Sequence, residues 1–143
     1  MGRILAIDYG MRRCGLAVTD PLQIIAQPLK TVNYMHIKDF LKTYVKNENV
    51  ESIVIGMPYN MDGTPSEMSR AVDQFKIWLT SQFPNLTIHD VDERLTSIEA
   101  KRIVRDTVKS KKNRRNKELV DRISASIILE SYLNRKNIRN TRT

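Results

Sequence analysis

The chain of 143 residues carries 24 Lys+Arg against 16 Asp+Glu, a formal net charge of +8, and one cysteine. That length fits one compact domain, able to bury about 70% of the surface its unfolded form exposes. A single cysteine excludes an internal disulfide scaffold, no Cys/His cluster has zinc-ligand spacing, and no apolar run approaches the roughly 20 residues of a membrane span, so the expectation is a soluble cytoplasmic protein with no membrane partner.

The charge is concentrated in one part of the chain. Residues 1–100 hold 10 basic and 12 acidic side chains, whereas residues 101–143 hold 14 basic and 4 acidic ones. A positive segment on a near-neutral body points to a polyanionic partner, since each neutralised phosphate releases counterions. A well-solvated surface is the plainer account of the same charges.

In chain order, residues 3–8 and 14–20 are short apolar runs joined by a Gly-containing connection, which reads as a hairpin. A third run, 24–32, follows the turn signal Asp20-Pro21, so three antiparallel strands open the fold. Residues 36–46 place Ile37, Phe40, Leu41, Tyr44 and Val45 at the spacing of an amphipathic helix. Strands over 51–57 and 86–91 flank a helix over 66–83 marked by Met68, Val72, Phe75 and Leu79. Such a crossover is right-handed and sets its two strands parallel, so both end on the carboxyl edge of one sheet. Helices over 96–108 and 117–135 follow, separated by a basic loop, and 136–143 reads as a disordered basic tail. The expectation is a mixed α/β sheet with elements in the order strand-strand-strand-helix-strand-helix-strand-helix-helix, as one domain over 1–135.

Three acids stand where a carboxylate is costly unless it is used. Asp8 ends the first strand directly after Leu5-Ala6-Ile7, Asp92-Glu93 follows the last strand, and Asp121 shares a helical stripe with Ala125, Ile128 and Tyr132. A first strand parallel to the later two brings Asp8 and Glu93 to one sheet edge, where Asp121 can reach them. Carboxylates within about 4 Å would repel by roughly 4 kcal/mol per pair at an effective dielectric near 20. A divalent cation removes that penalty, and hard oxygen ligands suit Mg²⁺ or Mn²⁺. Two such ions about 4 Å apart support phosphodiester hydrolysis. Each acid also has an ordinary role open to it: turn capping for Asp8, a solvated loop acid for Glu93, and a first-turn helix acid for Asp121. Asp20 belongs to the turn with Pro21, too far along the hairpin from Asp8 to join it.

The motifs Ile7-Asp8-Tyr9-Gly10, Arg13-Cys14-Gly15-Leu16-Ala17-Val18, Gly56-Met57-Pro58 with Asn60-Met61-Asp62-Gly63, Asp92-Glu93-Arg94-Leu95-Thr96, and Asp121 with the run 124–129 together resemble the YqgF family. That family is described as Holliday junction resolvases or pre-16S rRNA nucleases with a ribonuclease H-like fold related to RuvC. The resemblance reaches to Leu133 and implies that Asp8, Glu93 and Asp121 are metal-binding catalytic acids, with two Mg²⁺ or Mn²⁺ ions. Asp92 competes with Glu93, but strand alternation points the two to opposite faces, and Glu93 is the choice.

Other residues supply expected contacts. Arg94 either clamps a phosphate or pairs with a neighbouring acid. Thr96 with Glu99 fits a capping box, and His36 and His89 have no partner at metal-ligand spacing. Asn60, with Asp62 and Gly63, forms a polar loop that either makes a turn or touches substrate. Lys109, Lys111, Lys112, Arg114, Arg115 and Lys117, with Arg135, Lys136, Arg139 and Arg142 of the tail, are expected to hold a nucleic-acid backbone without specifying sequence. With aromatics at only 6%, backbone and shape recognition is expected over a base-stacking platform.

The leading functional expectation is a metal-dependent endonuclease maturing the 5′ end of 16S rRNA. A Holliday junction resolvase cutting branched DNA, acting as a homodimer, is the alternative, and a non-catalytic RNA-binding ribosome-assembly factor is a third reading. An Asp-x-Gly after a first strand also resembles actin-like ATPases, but those need two copies of the fold, and this length supplies one.

Overall fold

The computed structural model describes residues 2–95, 102, 106 and 114–141. The strands β1 (Arg3–Asp8), β2 (Arg13–Thr19) and β3 (Ala26–Asn33) open the chain, as the apolar runs predict. After them come α1 (Ile37–Asn47), β4 (Val50–Met57), α2 (Glu67–Gln82), β5 (Thr87–Asp92) and a long helix, here α3 (Arg114–Thr141). The five strands form one mixed sheet in the order β3-β2-β1-β4-β5. β1 pairs antiparallel with β2 and parallel with β4, and β4 pairs parallel with β5.

Two expectations need correcting. The last helix starts at Arg114 rather than 117 and continues to Thr141 rather than stopping at 135, so the stretch read as a disordered tail extends α3 as far as that residue. The latter part of the basic loop is likewise helical from Arg114 onward. The helix expected over 96–108 lies outside the described residues except for Arg102 and Asp106, which are helical and paired at 3.9 Å. Among the described residues, no helix is long and apolar enough to cross a membrane.

Strand alternation sorts the interior into two cores. Leu5 and Ile7 of β1, Leu16 of β2, and Ile53 and Ile55 of β4 pack on one face with Ile37 and Leu41 of α1 and Val72, Phe75 and Leu79 of α2. Ile4 and Ala6, Ala17, Val54 and Val91 pack on the other with Ala125, Ile128, Leu129 and Leu133 of α3. The even positions of β1 therefore face α3, and continuing that parity carries Asp8 to the α3 side. The parity of Val91 likewise carries Glu93 to the α3 side and leaves Asp92 on the other.

The α3 face has small side chains because the helix lies very close to the sheet. A Cβ on Gly15 of β2 would stand 1.9 Å from the Asp121 carbonyl oxygen and 3.1 Å from the Arg122 nitrogen, so only glycine admits the helix backbone there. Thr31 of β3 adds a tether, its hydroxyl donating to the Glu118 carbonyl at 2.5 Å. At the other end of the hairpin, the Asp20 carboxylate accepts the backbone N–H groups of Leu22, Ile24 and Ile25 at 3.1, 2.9 and 2.8 Å, the turn role its sequence position implies.

Because backbone cannot yield as a flexible side chain does, Gly15→Ala is expected to destabilise the fold by about 3 kcal/mol, at the upper end of ordinary overpacking. Urea unfolding against the unsubstituted chain measures it, and an unchanged midpoint would refute the close approach.

Candidate active site

The parallel strands β1 and β5 deliver Asp8 and Glu93 to the carboxyl edge of the sheet, and the first turns of α3 bring Asp121 to the same place. The three acids line one open pocket of about 410 Å³ together with Tyr9, Gly10, Met11, Arg12, Arg13, Pro58 and Met68. The structure thus brings together the three acids singled out from the sequence.

Each acid is held differently. The Asp8 and Glu93 carboxyls are hydrogen-bonded to each other, and the Asp8 carboxyl is pushed well above the usual carboxylate range, first by burial, then by the charge and hydrogen bond of Glu93, and last by Asp121. Asp121 accepts a hydrogen bond on Oδ2 from Nε of Arg13, the residue that opens β2. Burial raises the Asp121 carboxyl all the same, with Arg13 opposing the shift in part. Cys14, buried beside them, has its thiol pushed up to about 11, chiefly by burial, which leaves it protonated and inert as a nucleophile at neutral pH.

Glu93 reaches the pocket because β4 carries a glycine beneath it. A Cβ on Gly56 would lie 2.5 Å from Glu93 Oε1 and 2.6 Å from Ile128 Cδ1. Gly15 and Gly56 were part of the sequence motifs, yet neither was assigned a role, and Arg13 was passed over as well. The readable signal was glycine inside an otherwise apolar strand, which marks a close approach.

Asp92 turns away from the acids. Its carboxylate holds Arg94 through Oδ2 to Nη2 at 2.6 Å and through both oxygens to Nε at 3.1 Å, and Oδ1 also accepts the Arg94 backbone N–H at 3.0 Å. This bidentate grip lowers the Asp92 carboxyl, while the guanidinium lies 5.6 Å over the Tyr59 ring. Of the two expectations for Arg94, the ion pair is therefore the one realised. Asn60 closes its own loop: its amide donates to Thr64 Oγ1 at 3.0 Å and to the Pro65 carbonyl at 3.3 Å, and Asp62 caps Thr64. The turn reading suits Asn60 better than substrate contact. Lys109, Lys111 and Lys112 lie outside the described residues, whereas Arg114, Arg115 and Lys117 begin α3, with Lys117 exposed.

An all-carboxylate donor set suits a hard divalent cation. Among the described residues no three ligand side chains already stand as a ready-made set. A shared hydrogen bond pairs Asp8 with Glu93, and Arg13 pairs with Asp121. The Arg13 guanidinium occupies the electrostatic role that a cation would take at Asp121, so the residues fit a metal on condition that Asp121 leaves Arg13.

A mixed sheet with three parallel strands, an antiparallel hairpin on one side, and acids gathered on the carboxyl edge defines a ribonuclease H-like α/β protein. Within that class the chain belongs to the RuvX family, the YqgF family of the motif comparison: the family model described as "Holliday junction resolvase" matches residues 2–135. A Bacteroides fragilis protein is 46% identical over 96% of this chain and 100% of its own. A Porphyromonas gingivalis protein is 50% identical over 93% of this chain and 96% of its own, and one from Amoebophilus asiaticus is 51% identical over 93% and 94%. All three carry the name "Putative pre-16S rRNA nuclease".

A carboxyl whose pKa is raised by folding favours the native state below its unfolded pKa and loses that contribution as pH rises through the folded value. Asp8→Asn is therefore expected to melt above the unsubstituted chain at about pH 7.5 in chelator, with the gap closing toward about pH 4, where the unfolded carboxyl is itself half protonated. Thermal melts across that range check it.

Proposed function

We propose that this chain is a metal-dependent endonuclease that hydrolyses a phosphodiester bond of structured RNA, with maturation of the 16S rRNA 5′ end in the cytoplasm as its role. The observation that carries the reading is the convergence of Asp8, Glu93 and Asp121 from three separate elements on one open pocket. Relatives of nearly equal length that bear the pre-16S rRNA nuclease name support the choice of RNA.

In this reading Asp8, Glu93 and Asp121 hold Mg²⁺ or Mn²⁺, two ions in the full site. When bound, such ions lower the pKa of water and stabilise the leaving oxygen of a phosphodiester. The residues of the chain do the rest. Asp8, on a rigid central strand, fixes the position of the pocket floor. Glu93 shares its hydrogen bond with Asp8 over Gly56, where any larger residue would crowd its carboxylate out of the pocket. Arg13, released from Asp121, is left facing the pocket with a guanidinium suited to a phosphate oxygen. Lys109, Lys111, Lys112, Arg114, Arg115 and Lys117 are the cations assigned to backbone phosphates, positioning the strand without reading its sequence.

Cleavage of branched DNA is the second reading, favoured by the description of the matching family model. It asks for two cuts and hence a homodimer, whereas trimming an rRNA end asks for one cut by one copy.

The test is cleavage of a labelled pre-16S 5′ segment and of a four-way DNA junction, with Mg²⁺ or Mn²⁺ added. Asp8→Asn, Glu93→Gln and Asp121→Asn are each expected to lower the rate of RNA cutting by about 100-fold or more, beyond what removal of a merely orienting group does. Asp92→Asn is expected to retain most of the rate, because its carboxylate serves Arg94. Equal loss for Asp92→Asn and Glu93→Gln would overturn the assignment of Glu93, and junction cutting alone would move the function to recombination.

A further inference from the structure

Beside the acidic pocket lies an apolar rim that the chemistry above does not use. Arg13 pairs with Asn33 in the β2–β3 ladder, and the ladder is continued by a hydrogen bond from the Tyr34 backbone nitrogen to the Arg12 carbonyl at 2.9 Å. The next positions outward are Met11 on the β1–β2 connection and Met35 on the 3₁₀ turn Tyr34–His36. Met11 is 58% exposed, Met35 81% and Tyr34 38%. The rim has a firm backing. The Tyr34 ring meets Tyr9 edge-on at 5.9 Å, and Tyr9 in turn stacks on the buried Phe75 at 4.3 Å. Tyr9 and Met11 also line the pocket that holds Asp8, so the rim and the acids are continuous.

We propose that Met11, Tyr34 and Met35 form a subsite for an unpaired nucleobase of the strand whose phosphate enters the acidic pocket. The proposal rests on the nuclease reading and deepens it by assigning a single-stranded substrate at the point of cutting. Thioethers and an anchored ring present polarisable, flat surface that accepts any base face without reading its edge. The exposed Arg12 lines the same pocket and offers a guanidinium to a phosphate of the bound strand. A base within a duplex has its faces covered by its neighbours, so the rim favours strands that are frayed or unpaired. The low aromatic content of the chain argued against stacking at the level of composition; the structure gathers three of its eight Tyr and Phe residues at this one place.

Binding tests this without any need for turnover. The Asp8→Asn chain is titrated with single-stranded oligonucleotides, as RNA and as DNA, that carry 2-aminopurine, and with a blunt duplex of the same sequence. The expected result is quenching of 2-aminopurine on binding. The double substitution Met11→Ala/Met35→Ala removes exposed groups and leaves the Tyr34–Tyr9–Phe75 stack in place, and should reduce the quenching and weaken single-strand binding about tenfold while leaving duplex binding unchanged. Equal weakening of both, no weakening, or absence of quenching with every strand would overturn the proposal. So would concentration-dependent self-association of the chain that the double substitution abolishes, since the rim would then belong to a second copy. Cleavage by the unsubstituted chain is measured in parallel: cutting with no rim effect refutes the subsite alone, whereas no cutting refutes the nuclease reading.

Discussion

The closeness of α3 to the sheet governs the rest of this molecule. A helix that rests its backbone on Gly15 can put Asp121 beside a strand end, and one held off by even a methyl group could not. The small side chains of Ala6, Ala17 and Ala125 serve the same approach across the face. Packing that would read as ordinary small-residue contact elsewhere here fixes the distance between two charged groups.

That constraint places like charges together in a half-buried setting, and the fold offsets their repulsion with one shared hydrogen bond and one counter-charge. Asp8 shares a hydrogen bond with Glu93, and Arg13 neutralises Asp121. The neighbouring Asp92–Arg94 pair is self-contained by contrast, with the acid's pKa lowered rather than raised. Two adjacent acids in one sequence motif are thus separated by strand parity, Glu93 toward Asp8 and Asp92 toward Arg94. Carboxyls raised by burial, as Asp8 and Asp121 are, mark where chemistry can be installed.

Much of this was legible in the sequence. The apolar runs, the crossover around α2, and the meeting of Asp8 with Glu93 all follow from periodicity and handedness, whereas alternation showed only that Asp92 and Glu93 face opposite ways, and the structure puts Glu93 in the pocket with Asp8. The extent of α3 was not legible, because the charged stretch at its start and the basic stretch at its end lack the apolar stripe on which a helix is recognised, while the helical backbone continues through both. Arg13 escaped notice for another reason: its partner is 108 positions away, and no local pattern encodes a pair that only tertiary structure creates. The rim around Met11 and Met35 was missed because composition averages over the chain and cannot register where a few residues gather.

The far end of α3 adds a mechanical dimension. Lys136 donates to Gln23 Oε1 at 2.7 Å, and the Gln23 amide reaches Glu51 Oε2 at 2.6 Å and the Gly2 carbonyl at 2.8 Å, so the helix is moored to the amino edge of the sheet as well. Asp121 and Lys136 are separated by about 22 Å of helix at 1.5 Å per residue. The helix is therefore a strut clamped at both ends, and a disturbance at the Gln23 mooring is transmitted along a stiff rod rather than absorbed by a loop. A surface turn remote from the three pocket acids thereby helps set the aim of Asp121.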